Sequence, residues 1–264
     1  MSSPADYLLV DISNSFTKIA FASTTRVQRP VRIATARLTS QFLARLLRRR
    51  QVKIIVVCSV VPAKNHEIKK AAGAGALIWL TAALRLGVGI DYPSPSTIGG
   101  DRLANAAAVA ALHGTPAIVV DFGTAVTFDI VAANKTYIGG VIAPGLEAMT
   151  NFLYQRTALL PKLSLREPRR AVGKSTIEAM RAGAIYGYRG LVREIIERIK
   201  EQQFGRGKVN VVATGGYAQL IARKLPMIDY VDANLTLEGL RIIGNLNRPD
   251  RVRQNPARAG RQGG

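Results

Sequence analysis

The chain has 264 residues, of which 48% are hydrophobic, and a formal net charge of +20 at pH 7. This composition argues against a disordered chain, and the length suits one large domain or two lobes. No apolar run reaches the roughly 18 residues that span a bilayer, and we find no pattern of a secretory signal. The single cysteine, Cys58, cannot form an internal disulfide, so we expect a cytoplasmic protein without a membrane partner.

The positive charge is dispersed, apart from Arg48-Arg49-Arg50 and the segment 247–264, which holds five arginines. A solvated basic surface explains this charge without any partner. Contact with nucleic acid through the basic tail is the less favoured alternative, because no aromatic-interleaved basic motif or zinc-ligand spacing accompanies it.

The first half of the chain predicts three strands and then alternating helices and strands. The predicted elements are strands at 7–12, 16–22 and 31–37, a helix capped by Thr39 or Ser40, a buried strand at 53–60, a short helix capped by Asn65, a strand at 77–80 and an alanine-rich helix at 101–113.

The second half repeats this pattern after Gly114-Thr115-Pro116. It predicts a hairpin at 117–131, strands at 135–138 and 208–214, and helices at 145–158, from Ser175 or Thr176 to 201, at 217–224 and at 235–246. Because the pattern occurs twice, we expect an α/β fold with duplicated lobes at 6–113 and 114–246. The segment 247–264 is predicted to be a disordered basic tail.

Two stretches of the chain share one hairpin pattern. Residues 119–131 are VVDFGTAVTFDIV, and residues 9–21 are LVDISNSFTKIAF. Aligned, Asp11 falls on Asp121, Ser13 on Gly123 and Asn14 on Thr124. A carboxylate at a strand end beside such a turn suits a metal–phosphate group. Either copy alone is also compatible with a purely structural hairpin, but the repetition suggests two half-domains that face each other across a nucleotide.

Two glycine pairs mark further candidate sites. Gly99-Gly100 precedes Asp101 and Arg102, which suits a general base beside an anion anchor. Asp101 as a helix N-cap and Arg102 as a surface charge are the alternatives. Gly215-Gly216 follows a predicted strand, where a flat ring can lie against the backbone or a tight turn can form. Neither a dinucleotide-binding fingerprint nor a P-loop is present.

In this order, the motifs resemble those of the type III pantothenate kinase family, part of the actin-like, Hsp70-like and sugar-kinase-like ATPase superfamily. The resemblance covers about residues 6–246. It rests on Asp11, Asn14, Ser15 and Lys18; Gly99, Asp101, Arg102 and Asn105; Asp121, Gly123, Thr124, Ala125 and Thr127; Gly139, Gly140, Ile142, Pro144 and Gly145; 175–180; 214–216; and 235–240.

The resemblance implies two ribonuclease-H-like lobes with mixed sheets flanked by helices. It implies a homodimer that uses ATP to phosphorylate the primary hydroxyl of pantothenate, giving 4'-phosphopantothenate in the first step of coenzyme A biosynthesis. Asp101 would accept the hydroxyl proton.

The resemblance also implies three groups of binding residues. The pantothenate site would comprise Tyr92, Gly99, Gly100, Asp101, Arg102 and, from the partner subunit, Thr176. ATP would contact Asp11, Ile12, Ser13, Asn14, Ser15, Phe16, Thr17, Lys18, Thr124, Thr214, Gly215 and Gly216. Asp121 would hold a monovalent cation, K⁺ or NH₄⁺, and Mg²⁺ would accompany ATP.

One residue departs from the family pattern, since Ser13 occupies a glycine position. If that position needs a positive φ, serine would cost about 1 kcal/mol or more. Two other functions stay open. One is an accessory role in transcription, the role after which part of this family was named, with DNA bound by the basic tail. The other is a kinase acting on a different small hydroxy acid.

Overall fold

The computed structural model describes residues 5–48, 50, 52–73 and 75–248. The chain divides into two compact units. The first unit runs to Ala111 and resumes at Asn234, and the second comprises Leu112–Ala233. Arg49 and the part of the predicted tail beyond residue 248 lie outside the described residues.

The first unit is built on a five-stranded mixed sheet. Its strands are β1 (Ala5–Ile12), β2 (Phe16–Ala22), β3 (Val31–Ala34), β4 (Val52–Ser59) and β5 (Ala76–Trp79), and their order is β3-β2-β1-β4-β5. β1 is antiparallel to β2 and parallel to β4. The helices α1 (Ser40–Arg48), α2 (Asn65–Ala72) and α3 (Gly100–Leu112) follow, with the short strand β6 (Gly89–Ile90) before α3.

The two predicted helix caps of the first unit have different outcomes. The Thr39 hydroxyl accepts a hydrogen bond from the Phe42 amide at 3.2 Å, so Thr39 caps α1. The prediction for Asn65 is wrong, because Asn65 is the first residue of α2 and the preceding Lys64 makes no side-chain cap bond.

The second unit repeats the strand arrangement of the first. Its strands are β7 (Ala117–Phe122), β8 (Ala125–Val131), β9 (Thr136–Pro144), β10 (Asn210–Gly215) and β11 (Tyr230–Val231), and they lie in the order β11-β10-β7-β8-β9. β7 is antiparallel to β8 and parallel to β10. Its helices are α4 (Leu146–Arg156), α5 (Thr176–Gln203) and α6 (Ala218–Ala222). The duplicated α/β fold is therefore confirmed.

The last helix, α7 (Leu235–Leu246), packs on β1 and β4 of the first unit. The sequence placed this helix in the second lobe, so the predicted lobe boundary differs from the one observed. The hydroxyl of Tyr7 on β1 donates to Asn245 Oδ1 at 2.7 Å, and the Gly244 backbone lies against Tyr7 and Val56. The chain returns to the first unit because the apolar face of α7 covers one face of that sheet.

Helices cover both faces of the first sheet near β1. Leu8, Val10 and Ile12 pack toward α1 and α2, while Tyr7 meets α7. β1 is therefore apolar at nearly every position, as expected for a strand buried on both faces. In the second unit the core joins β7, β8 and β10 with α5 and α6. Among the described residues, no helix is long and apolar enough to cross a membrane.

Candidate active site

A row of polar side chains crosses the first sheet near the end of β1. Asp11 is directly opposite Lys18 on β2 and beside Cys58 on β4. Residues opposite one another in adjacent strands project to the same face of a sheet, so these three side chains share one face. Asp11 is buried, whereas Lys18 is partly exposed. The acidic and basic ends of the first hairpin are therefore neighbours.

The start of α3 lies against the end of β4. A Cβ atom on Gly100 would lie 3.1 Å from Cys58 Sγ and 3.2 Å from Leu80 Cδ2, closer than most side-chain contacts allow. Glycine at position 100 thus lets the helix approach the strand. Sequence reasoning assigned Cys58 to the core but gave no sign that it supports this helix start.

Asp101 is the second residue of α3. It is therefore not the helix N-cap, which was the alternative role suggested by the sequence. Its Oδ1 accepts a hydrogen bond from the Arg102 amide at 2.9 Å. A Cβ atom on Gly99 would lie 2.5 Å from that same oxygen, so the carboxylate occupies space that a side chain at position 99 would fill.

Burial raises the pKa of Asp101 above the ordinary value for aspartate, although hydrogen bonding and the charge of Arg102 act in the opposite direction. Desolvation is the largest of these effects. It raises the pKa because it disfavours the ionised carboxylate. Asp101 is consequently a stronger base than a solvent-exposed aspartate, and it sits beside a guanidinium that can hold an anionic group.

Cys58, which contacts the start of α3 at Gly100, is fully buried. Burial raises the pKa of its thiol, and the negative charges of Asp11 and Asp101 raise it further. Asp11 is beside Cys58 in the sheet register, and Asp101 follows Gly100, which packs against the thiol. Because a thiol rather than a thiolate occupies this position, Cys58 is an inert packing residue, as predicted.

The predicted ATP-binding residues of the first hairpin differ in exposure. Asn14, Ser15 and Phe16 are exposed, whereas Ile12 and Thr17 are completely buried. The side chains of Ile12 and Thr17 belong to the interior of the unit, so only their backbone atoms remain as candidate contacts. Residue type alone did not predict which of these side chains are buried, because alternate residues of a strand face opposite sides of the sheet.

The condition for strain at Ser13, a positive φ, is not met. Among the described non-glycine residues, only Lys135 has a positive φ. The matching position in the second hairpin, Gly123, does not have a positive φ either. Both hairpins therefore turn with ordinary backbone angles, and serine fits position 13 without a conformational penalty.

In the second unit, Asp121 lies between two glycines. Cβ atoms on Gly215 and Gly123 would lie 2.5 and 3.7 Å from Asp121 Oδ1. Gly215 also has a φ of +92°, which favours glycine. Thr214 is beside Asp121 in the sheet register, and its buried hydroxyl has no hydrogen-bond partner among the described residues.

The turn that carries Thr124 is packed tightly against the start of α4. A Cβ atom on Gly145 would lie 2.2 Å from the Thr124 carbonyl oxygen. Gly145 is part of the Pro-Gly motif recognised in the sequence, and the structure shows that it permits this close approach. The prediction of a strand at 135–138 was too short, because β9 continues through Gly139 and Gly140 to Pro144.

The other two predicted substrate residues are accessible. Tyr92 lies in the exposed loop of the first unit that precedes Gly99. Thr176 is the exposed first residue of α5 in the second unit, and Ser175 is its N-cap, with Oγ accepting from the Glu178 amide at 3.3 Å.

The structure brings Asp11, Lys18, Asp101 and Arg102 to one part of the first unit.

Comparison with known sequences gives a consistent result. A model of the type III pantothenate kinase family matches residues 7–198. A type III pantothenate kinase from Akkermansia muciniphila is 49% identical over 91% of this chain and 99% of its own length. One from Methylacidiphilum infernorum is 44% identical over 90% of this chain and 88% of its own length.

Solved structures support the fold at lower identity. A Campylobacter jejuni protein described as a Baf family transcriptional activator is 22% identical and aligns with a TM-score of 0.55 over 94% of this chain and 98% of its own. The ethanolamine utilization protein EutJ from Carboxydothermus hydrogenoformans is 13% identical, with a TM-score of 0.55 over 92% and 91% of the two chains.

Proposed function

Because this chain belongs to the type III pantothenate kinase family and so transfers a phosphoryl group from ATP to pantothenate, we propose that Asp101 is its catalytic base. The observation that carries this assignment is the position of the carboxylate on the first turn of α3. Burial raises the pKa of this carboxylate despite the neighbouring Arg102. A base of raised pKa is better matched to a hydroxyl proton at neutral pH than an exposed aspartate is.

In the proposed reaction, the Asp101 carboxylate accepts the proton of the pantothenate primary hydroxyl. The hydroxyl oxygen then forms a bond to the γ-phosphorus of ATP while the bond from that phosphorus to the bridging oxygen breaks, and ADP leaves. Arg102 would hold the pantothenate carboxylate, and Tyr92, Gly99 and Gly100 would line the same site. Positioning and charge stabilisation would supply most of the remaining rate enhancement.

Each unit carries one of the two hairpins to which we assign contacts with ATP. In the first unit we assign phosphate contacts to the exposed turn residues Asn14 and Ser15 and to Lys18, with Asp11 facing the metal. In the second unit we assign them to Thr124. The adenosine would lie near 214–216, where Gly216 is exposed directly after β10.

The residues around Asp121 suit a monovalent cation. Asp121 Oδ1 would lie only 2.5 Å from a Cβ atom on Gly215, so glycine there leaves room for the carboxylate, and the Thr214 hydroxyl is buried beside it. Among the described residues, no group of three or more His, Cys, Asp or Glu side chains is arranged so that it could hold a metal ion. A single carboxylate with hydroxyl and carbonyl oxygens suits K⁺ or NH₄⁺, which would offset phosphate charge, while Mg²⁺ would arrive with ATP.

Two surfaces of the second unit support a homodimer. Large apolar side chains are exposed on α4 and in the segment after it, namely Met149, Phe152, Leu153, Tyr154 and Leu159. On α5, open space lies beside Gly183, Gly187 and Gly190. Glycine inside a helix costs about 0.5–1 kcal/mol relative to alanine, so a close-packed second helix would explain this face. Thr176 begins the same helix.

An activity assay distinguishes this function from the two others, a regulatory role and a kinase that acts on a different small hydroxy acid. The tail invoked for DNA binding lies, beyond residue 248, outside the described residues. A cytoplasmic location stays a prediction of the sequence.

An ATP-consumption assay with pantothenate, Mg²⁺ and K⁺ tests the proposed function. We expect turnover that needs all three additions and falls about 10²–10⁴-fold in Asp101→Asn. Wild-type activity with an equally active Asp101→Asn variant would eliminate Asp101 as the base. A folded but inactive wild-type protein would favour the regulatory role. Undiminished activity when Na⁺ replaces K⁺ would contradict the cation assignment at Asp121.

A further inference from the structure

Thr35 supports the turn of the first hairpin from inside the first unit. It is buried and begins the short 3₁₀ turn Thr35–Arg37 that follows β3. Its hydroxyl donates a hydrogen bond to the Ser13 carbonyl oxygen at 2.6 Å. Its backbone N–H donates to the Ser15 carbonyl oxygen at 3.1 Å. One residue therefore holds two carbonyl groups of the predicted phosphate-binding turn.

The direction of these hydrogen bonds follows from the number of protons. Thr17 Oγ1 and Thr35 Oγ1 are 3.0 Å apart, and both residues are buried. A hydroxyl has one proton to donate, and Thr35 uses its proton on Ser13. Thr17 must therefore donate to Thr35, which gives a one-way chain from Thr17 through Thr35 to the turn.

This chain determines how one backbone donor is oriented. The peptide bond between Ser13 and Asn14 is trans, since the described residues contain a single cis bond, at Thr115-Pro116. In a trans peptide the carbonyl and the N–H point in opposite directions. Holding the Ser13 carbonyl toward buried Thr35 therefore turns the Asn14 N–H away from the interior, on an exposed residue.

We infer that Thr35 is a positioning residue for ATP, which keeps the Asn14 N–H directed at a phosphate oxygen. The inference rests on the proposed role of the first hairpin. It concerns a residue that lies 22 positions from Ser13 and outside every motif recognised in the sequence. A backbone donor that is already oriented binds phosphate without the cost of ordering the turn.

Binding measurements on three variants test this inference. Thr35→Val keeps the shape of the side chain and removes its proton donor, so we expect Mg-ATP affinity to fall about tenfold, the loss of roughly one oriented hydrogen bond. Affinity for adenosine should stay within about twofold, because adenosine has no phosphate. Thr35→Ser should restore Mg-ATP affinity. Thr150→Val is the matched control, since Thr150 is a buried threonine that donates to a helix carbonyl at 3.1 Å.

The possible results separate this inference from the proposed function. If wild type binds Mg-ATP and folded Thr35→Val binds it equally well, the role of Thr35 is overturned. The proposed function is not affected by that result. Equal losses for adenosine and Mg-ATP would also overturn the role of Thr35, since a general loss of structure would then explain the effect. If Thr35→Val does not fold, Thr35→Cys decides, because its weak donor should also lower Mg-ATP affinity. Wild type that does not bind Mg-ATP would contradict the proposed function itself.

Discussion

Burial and a neighbouring guanidinium act in opposite directions on Asp101. Burial has the larger effect on its pKa, so the folded protein favours the protonated carboxyl more than the unfolded chain does. The same property that makes Asp101 a useful base therefore makes its ionised form unfavourable for stability.

We predict that Asp101→Asn stabilises the protein at neutral pH while lowering turnover. A raised pKa in the folded state contributes stability that is present below the unfolded pKa and is lost as pH rises through the folded pKa. The melting temperature of Asp101→Asn minus that of wild type should therefore increase between pH 4 and pH 8. Asp91→Asn, in an exposed loop, is the control, and a pH-independent difference would refute the argument.

Ser13 has the ordinary backbone angles that any residue adopts. Restoring the family glycine therefore relieves no strain. Instead we predict that Ser13→Gly lowers the free energy of unfolding by about 0.5–1 kcal/mol, because glycine increases the freedom of the unfolded chain. Urea denaturation measures this change, and a gain in stability would show that the turn is strained after all.

At the scale of elements, α3 is positioned by two neighbours as well as by its own sequence. Its first turn lies on Cys58, and its middle lies on α7. The Thr236 hydroxyl donates to Asn105 Oδ1 at 2.9 Å in the interior of this contact. A Cβ atom on Gly239 would lie 2.0 Å from the Ala104 carbonyl oxygen, so the two helix backbones are in close contact.

We predict that Gly239→Ala lowers the free energy of unfolding by about 1–3 kcal/mol, because the backbone of α3 has to move to admit the methyl group. In Gly207→Ala the new Cβ would meet only the Phe204 carbonyl oxygen, at 3.1 Å in an exposed turn. That control should change stability by less than about 0.5 kcal/mol. Chemical denaturation of both variants checks the difference, and equal effects would contradict close α3–α7 packing.

At the scale of the whole molecule, the two units repeat one plan. In each, three antiparallel strands precede two parallel ones, and the next-to-last residue of the central strand is an aspartate. The residue beside that aspartate is Cys58 in the first unit and Thr214 in the second. The strand beside the central one therefore differs between the units, with a thiol that contacts the start of α3 in one and a hydroxyl beside the proposed cation in the other.

The homodimer can be tested on the glycine face of α5. Gly187 is exposed, and no atom lies within 4 Å of a Cβ placed there. We therefore predict that Gly187→Glu leaves the subunit folded but shifts sedimentation from dimer to monomer, and that turnover falls if Thr176 acts across the interface. Gln202→Glu, on an exposed position of the same helix, should leave the dimer intact. Dimers of unchanged mass in Gly187→Glu would refute this interface.

The sequence by itself determined the features that depend on local pattern. Alternating and helical spacing of apolar residues identified most strands and helices. The spacing of short motifs identified the family and singled out Asp11, Asp101 and Asp121 as candidate site residues. The two-residue strands β6 and β11 were missed because so short a segment has no measurable period.

Only the tertiary structure decided which distant residues meet. The packing of α7 on the first sheet, the burial of Thr17 and the bond from Thr35 to Ser13 each depend on how separate elements fill a common interior. The raised pKa of Asp101 has the same origin, since desolvation comes from the atoms that surround the carboxylate in the fold rather than from residues adjacent in the sequence. Sequence periodicity records which face of an element is apolar, but it does not record which other element covers that face.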